Sequence, residues 1–262
     1  MRKSSWYLSA FVALGLLVGC DDEPSRMIPT APPAHGSPAT YAPAQAAVWP
    51  PAATNPSEVL PIVSDEHLFD TVWVIVLDNS GSMETTECSG HDNRMVAGGK
   101  AVLAFSKKRP ADNFGLVLFT SSYPYARVAV PLDRGTQGAI ERVVTSIRPD
   151  TQTPLRPAIE LAYKEIVKRA RAQRGYGSYH IVVVTDGNYN EGGNPAPVVK
   201  EIVEKTPIQV HTVGFCTGSS HALNLPGYTS YVSIDNAEAL NQALLKIVEV
   251  EAEHFTDLSQ MK

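Results

Sequence analysis

Val72-Trp73-Val74-Ile75-Val76-Leu77-Asp78-Asn79-Ser80-Gly81-Ser82 decides the fold. The six apolar residues are too few for a buried helix and apolar at every position. They read as a strand covered on both faces, the situation of a parallel sheet, ending abruptly at Asp78. Outward from this strand, short apolar runs alternate with amphipathic stretches, which predicts an α/β domain. A long polar loop reaches about Asn93, and Met95 to Lys107 is predicted helical, with Gly98 and Gly99 allowing close packing. Phe114–Phe119 is a second buried strand. Only Thr120 to Tyr125 separates it from Ala126–Val130, too short a link for a crossover helix, so the third strand is expected antiparallel at an edge.

A short helix is expected near Thr136–Ile147. The clearest one spans Leu155–Arg171, with Leu155, Ile159, Ala162 and Ile166 at helical spacing and Lys168, Arg169 and Arg171 suited to the dipole at its end. His180–Thr185, Ile208–Phe215 and Tyr231–Ile234 complete the strands, with a helix at Ala196–Glu204 after the first of them. Asp235 and Glu238 suggest a capping box for a last helix burying Leu240, Leu244, Ile247 and Val248. His180 and His211 are expected to pack in the core or at a sheet edge.

Open parallel sheets bind ligands at the carboxyl ends of their strands. There the first strand delivers Asp78, Ser80 and Ser82, the fourth delivers Asp186, and the loop before the long helix offers Asp150-Thr151-Gln152-Thr153-Pro154. All of these are oxygen donors, the ligand type a hard divalent cation selects, and Gly81 permits a sharp path between the two serines. These residues resemble the von Willebrand factor type A family, whose metal-ion-dependent adhesion site is written Asp-x-Ser-x-Ser, with a distant Thr and an Asp after the fourth strand. The resemblance covers about 67 to 257 and falls on Asp78, Ser80, Ser82, Thr153 and Asp186 as metal ligands. It implies a doubly wound, mostly parallel, six-stranded Rossmann-like sheet with helices on both faces. It also implies a cation, Mg2+ first and Mn2+ or Ca2+ as alternatives, with a position left for an acidic residue of a partner protein.

The loop Met83–Asn93 is longer than the family's usual entry into its first helix and is expected to overhang the metal face. Cys88 in that loop and Cys216 after the fifth strand lie on the same side of the sheet. A disulfide between them is the favoured expectation; a zinc site adding His91 and His221 is the alternative.

A phosphatase using Asp78 as nucleophile needs a second Asp two residues on, where Ser80 stands and cannot serve as general acid. No Gly-x-Ser-x-Gly elbow follows a strand. A binding module is therefore expected rather than an enzyme; a scaffold with a purely structural metal that contacts its partner elsewhere is the other reading.

The chain begins with Met1-Arg2-Lys3, an apolar run from Trp6 to Val18, and Gly19-Cys20. The run is too short to span a membrane comfortably, and Leu17-Val18-Gly19-Cys20 resembles the bacterial lipoprotein lipobox. The expected domains are a signal peptide over 1–19, a lipid-anchored Pro/Ala-rich tether over 20–66, the α/β domain over 67–257 and a frayed end over 258–262. Acyl chains on Cys20 would hold the protein to a leaflet facing the periplasm. Asp21 resembles an inner-membrane retention signal, with the outer membrane as the alternative. Lys and Arg number 22 against 27 Asp and Glu for a net charge of −5, and loss of Arg2 and Lys3 makes it −7. That balance disfavours nucleic acid as a partner.

Overall fold

The computed structural model of this 262-residue chain describes residues 48–55, 60–150 and 152–258, with side chains described up to 247. The expected leader, Cys20, most of the expected tether, the side chain of Val248 and residues 259–262 lie outside the described residues. Among the described residues no helix is long and apolar enough to cross a membrane.

Six strands form one sheet: β1 (Thr71–Leu77), β2 (Asn113–Phe119), β3 (Ala126–Arg134), β4 (Ser178–Thr185), β5 (Gln209–Phe215) and β6 (Thr229–Ile234). Their order is β3-β2-β1-β4-β5-β6, with β2 and β3 antiparallel and every other pair parallel. β1 is therefore central and β3 is the expected antiparallel edge. β3 runs four residues beyond Val130, through Pro131, and its pairing with β2 is irregular there. Proline is tolerated at such an edge because its missing N–H costs no ladder bond.

The alternation of β1 divides two cores. Val72, Val74 and Val76 pack under α3 (Leu155–Ala172) and α4 (Ala196–Lys205), against Ile159, Ala162, Ile166 and Ile202. Trp73, Ile75 and Leu77 face the other side, with Val102 and Phe105 of α1 (Arg94–Lys108), Ile140 of α2 (Gln137–Ser146) and Leu240 and Leu244 of α5 (Ala237–Leu258). The two glycines of α1 let it approach its neighbours. A Cβ at Gly98 would stand 3.1 Å from Leu77 Cδ1, and one at Gly99 would stand 2.9 Å from Val144 Cβ. The cap of α5 is Asn236, whose Oδ1 accepts from Ala239 N at 2.7 Å, rather than the expected Asp235. With Asn236 as cap the third helical position is Ala239, so Glu238 closes no capping box.

His180 is fully buried and His211 nearly so. Their Nδ1 and Nε2 atoms lie 3.3 Å apart, and the His180 ring stacks 4.0 Å from that of Trp73. Burial pushes both rings below the usual histidine value, His180 to about 3 and His211 to about 4.

Part of the stretch expected to be a spacer packs on the domain. Trp49 meets the ring of Tyr179 edge-on at 5.4 Å, and Arg171 donates from Nε to Pro51 O at 2.7 Å and from Nη2 to Ala52 O at 2.8 Å. Arg169 likewise bonds Leu132 O and Asp133 Oδ1 of β3. The cations at the end of α3 thus join neighbouring segments, besides complementing its dipole.

Candidate metal centre

The register of β1 on β4 pairs Leu77 with Val184, and Asp78 N donates to Val184 O at 2.8 Å. The residues that follow the two strands, Asp78 and Asp186, are thereby brought side by side. The Asp78 side chain is held twice. Its Oδ1 accepts from Ser80 N at 2.7 Å and its Oδ2 from Thr185 Oγ1 at 2.6 Å. From there a chain of hydroxyls leads outward: Ser80 Oγ lies 3.0 Å from Ser82 Oγ, and Ser82 Oγ donates to Asp186 Oδ1 at 2.7 Å. Asp78 and Ser80 are buried while Ser82 is exposed, so the oxygens form a path from the sheet edge to solvent.

Two side chains on the neighbouring loops, neither singled out by sequence, fix this geometry. Asn79 accepts from Phe119 N at 2.8 Å and donates to Arg148 O at 3.2 Å, binding the first loop to β2 and to the segment before α3. Asp150 N donates to Asn79 O, and Ser80 pairs with Asp150 as a parallel bridge, drawing the third loop alongside. Thr153 is buried on that loop. Its backbone exchanges hydrogen bonds with Asn190, N to Oδ1 at 2.7 Å and O from N at 3.3 Å. Hydrogen bonds thus connect Asp78, Ser80, Ser82 and Asp186 directly, whereas Thr153 is placed by Asn190.

Arg94, the first residue of α1, is the third such side chain. Its Nη1 donates to Asp186 Oδ2 at 2.8 Å, its Nε to Glu87 O at 3.0 Å, and its Nη2 reaches Glu87 Oε2 at 3.3 Å. Sequence carried a signal for it. A cation at the first position of a helix opposes the dipole and is expected there only when it is used for something else.

Burial first, and then the charge of Asp186, push the Asp78 carboxyl up to about 6, against the hydrogen bonds from Ser80 and Thr185. The two carboxylates at adjacent strand ends repel each other, and Arg94 offsets the charge of Asp186 while Asp78 has only hydrogen bonds. Octahedral oxygens at about 2.0–2.1 Å from Mg2+ stand roughly 2.9 Å from one another. The 3.0 Å and 2.7 Å spacings of Ser80, Ser82 and Asp186 fit such a shell. Among the described residues no group of three or more His, Cys, Asp or Glu is placed to hold a metal ion. This donor set has two carboxylates and takes its remaining oxygens from hydroxyls.

The inserted loop is tied down from both sides. Cys88 and Cys216 form a disulfide with Cα atoms 6.4 Å apart, so both thiols of the alternative zinc site are consumed. His221 is used otherwise as well: its Nδ1 accepts from Leu223 N at 3.0 Å, which leaves Nε2 to donate to Gly187 O at 2.7 Å.

A model of the von Willebrand factor type A domain family matches residues 73–188. Among solved structures, the chain is similar to von Willebrand factor type A from Catenulispora acidiphila, with a TM-score of 0.56 and 18% identity over 68% of this chain and 42% of that one. It is similar to the conserved hypothetical protein BatB from Bacteroides thetaiotaomicron, with a TM-score of 0.52 and 21% identity over 68% of this chain and 98% of that one. The pilus adhesin SpaC from Lactobacillus rhamnosus GG gives a TM-score of 0.52 and 16% identity over 69% of this chain and 30% of that one. The match thus spans less than half of the Catenulispora and Lactobacillus chains. No curated protein matches. Strand order, edge strand and helix placement agree with the family match, and the chain carries a von Willebrand factor type A domain.

Proposed function

We propose that this domain is a non-enzymatic protein-binding module. Asp78, Ser80, Ser82, Thr153 and Asp186 would hold a divalent cation, Mg2+ first among the candidates, and the cation would receive a carboxylate from a partner protein. The observation that carries the reading is the hydrogen-bonded row Ser80, Ser82 and Asp186, whose oxygens stand at octahedral spacing above the buried Asp78. When bound, the ion supplies a Lewis-acidic position that neutral hydroxyls leave under-neutralised. Asp78 and Asp186 furnish the fixed charge, Ser80 and Ser82 the hydroxyls that lead from the buried carboxylate to solvent, and Asn79 and Asn190 the orientation of the loops. The site opens at the strand ends of a doubly wound sheet, where a partner can reach it.

Cys20 would carry the acyl chains, with the domain facing the periplasm in adhesion or envelope assembly. The Cys88–Cys216 disulfide supports an oxidising compartment. A pull-down from envelope extract tests the function, with the purified protein as bait in Mg2+, in chelator, and as Asp78→Ala in Mg2+. A protein retained only by the unmutated bait with Mg2+ supports the reading. Equal retention in all three arms overturns it, leaving a scaffold that binds elsewhere.

A further inference from the structure

Asp186 has no accessible side-chain surface, and its two oxygens are both engaged. Oδ1 accepts from Ser82, which can turn its hydroxyl proton aside. Oδ2 accepts from Arg94, which cannot give up its protons. Nor is Arg94 free to swing away. Its backbone N donates to Thr85 O at 3.0 Å, its Nε is held by Glu87 O, its Nη2 by the Glu87 carboxylate, and Glu87 precedes the Cys88 that the disulfide fixes to Cys216. The Arg94 side chain is 9% exposed, so water screens its charge little.

We propose that Arg94 is a permanent counter-charge for Asp186 that leaves only one carboxylate oxygen to a divalent cation and holds the cation affinity of the site down. The inference rests on the metal-centre reading above. Without Arg94 the two carboxylates would present two negative charges; with it the centre presents one. The inserted loop then has a defined role, because it carries the groups that aim the guanidinium. A site weakened this way favours occupancy when a partner carboxylate adds the missing negative charge.

The test is Mn2+ binding, followed by loss of the free-ion electron paramagnetic resonance signal, on the whole protein as wild type, Arg94→Gln, Arg94→Lys and Glu87→Gln. Arg94→Gln keeps a donor near Asp186 and removes the charge, and should bind Mn2+ about tenfold or more tightly, as expected of a like charge removed a few ångströms from the ion. Arg94→Lys keeps the charge and should stay within about threefold of wild type. Glu87→Gln changes an exposed carboxylate on which no core contact depends, so it retains the fold whatever becomes of Arg94→Gln. It leaves the guanidinium less neutralised and should bind about two- to threefold more weakly. Arg94→Gln binding no more tightly than wild type, or Glu87→Gln binding unchanged or more tightly, overturns the role of Arg94 while leaving the metal centre standing. Absence of binding by every form overturns both.

Discussion

Replacing Asp78 by Asn should stabilise the metal-free protein at pH 8, although it removes a charged group from the candidate site. Burial and the charge of Asp186 raise the Asp78 carboxyl from the ordinary 3.8 to about 6. Each tenfold change in proton affinity corresponds to about 1.4 kcal/mol, so the ionised carboxylate costs the folded state about 3 kcal/mol once the pH exceeds 6. The sign follows from proton uptake. Between about 4 and 6 the folded state binds more protons than the unfolded one, and stability from this group falls as pH rises through that window. Asn keeps both contacts. Its Oδ1 accepts from Ser80 N, and its Nδ2 donates to Thr185 Oγ1, whose own proton can turn to Gly187 O at 3.1 Å. Allowing for the loss of charge-assisted hydrogen bonds, a gain of about 1–2 kcal/mol remains. For a domain of this size that raises Tm by roughly 3–6 °C.

The assay is thermal or urea unfolding in chelator at pH 8, 6 and 4. The gap between variant and wild type should shrink as the pH falls. In saturating Mg2+ the order should reverse, because wild type gains about 2.7 kcal/mol at a hundredfold excess over its dissociation constant and the variant does not. A variant less stable than wild type in chelator at pH 8, with an undiminished response to Mg2+, would show that the buried Asp78 charge neither costs the fold stability nor binds the ion.

In an Asp78→Asn background, which removes the opposing titration, stability should fall by about 4 kcal/mol from pH 7.5 to 5. His180 and His211 are pushed down to about 3 and about 4, so the unfolded chain takes up protons first as pH drops below 6.5. Equilibrium unfolding at each pH checks this, and neither ring should titrate by NMR in the folded protein above pH 5. Breaking the Cys88–Cys216 bridge, which closes a separation of 128 residues, should cost about 2–5 kcal/mol, measured by urea unfolding with and without reductant. Gly99→Ala should destabilise by about 1–2 kcal/mol despite the better helix former, since its Cβ would press on Val144 at 2.9 Å; calorimetry reads the loss.

The strands were legible because β1, β2, β4 and β5 are buried on both faces and therefore largely apolar, with His180 in β4 and His211 and Thr212 in β5 as polar exceptions. The edges were read less well. β6 begins two residues before the expected Tyr231 because its side chains are largely exposed and carry little pattern, and Pro131 masked the second half of β3. The four residues Asp78, Ser80, Ser82 and Asp186 could be read as one cluster because each leaves the carboxyl end of a recognisable strand or follows closely on it. Arg94, Asn79 and Asn190 could not be placed, since their roles depend on which loops meet above the sheet, a tertiary fact. The docking of 48–55 was hidden by composition, because Pro and Ala suit a spacer and a packed strap equally; Trp49 was the one residue that argued for contact.

Whether the oxygens at the ends of β1 and β4 receive a divalent cation is tested by a crystal of the protein grown in Mn2+, with anomalous diffraction collected at the manganese edge. One strong peak is expected at bonding distance from Ser80 Oγ and Ser82 Oγ, bordered by Asp78, Thr153 and Asp186. A map with no peak there, or with its only peak away from these residues, would contradict it.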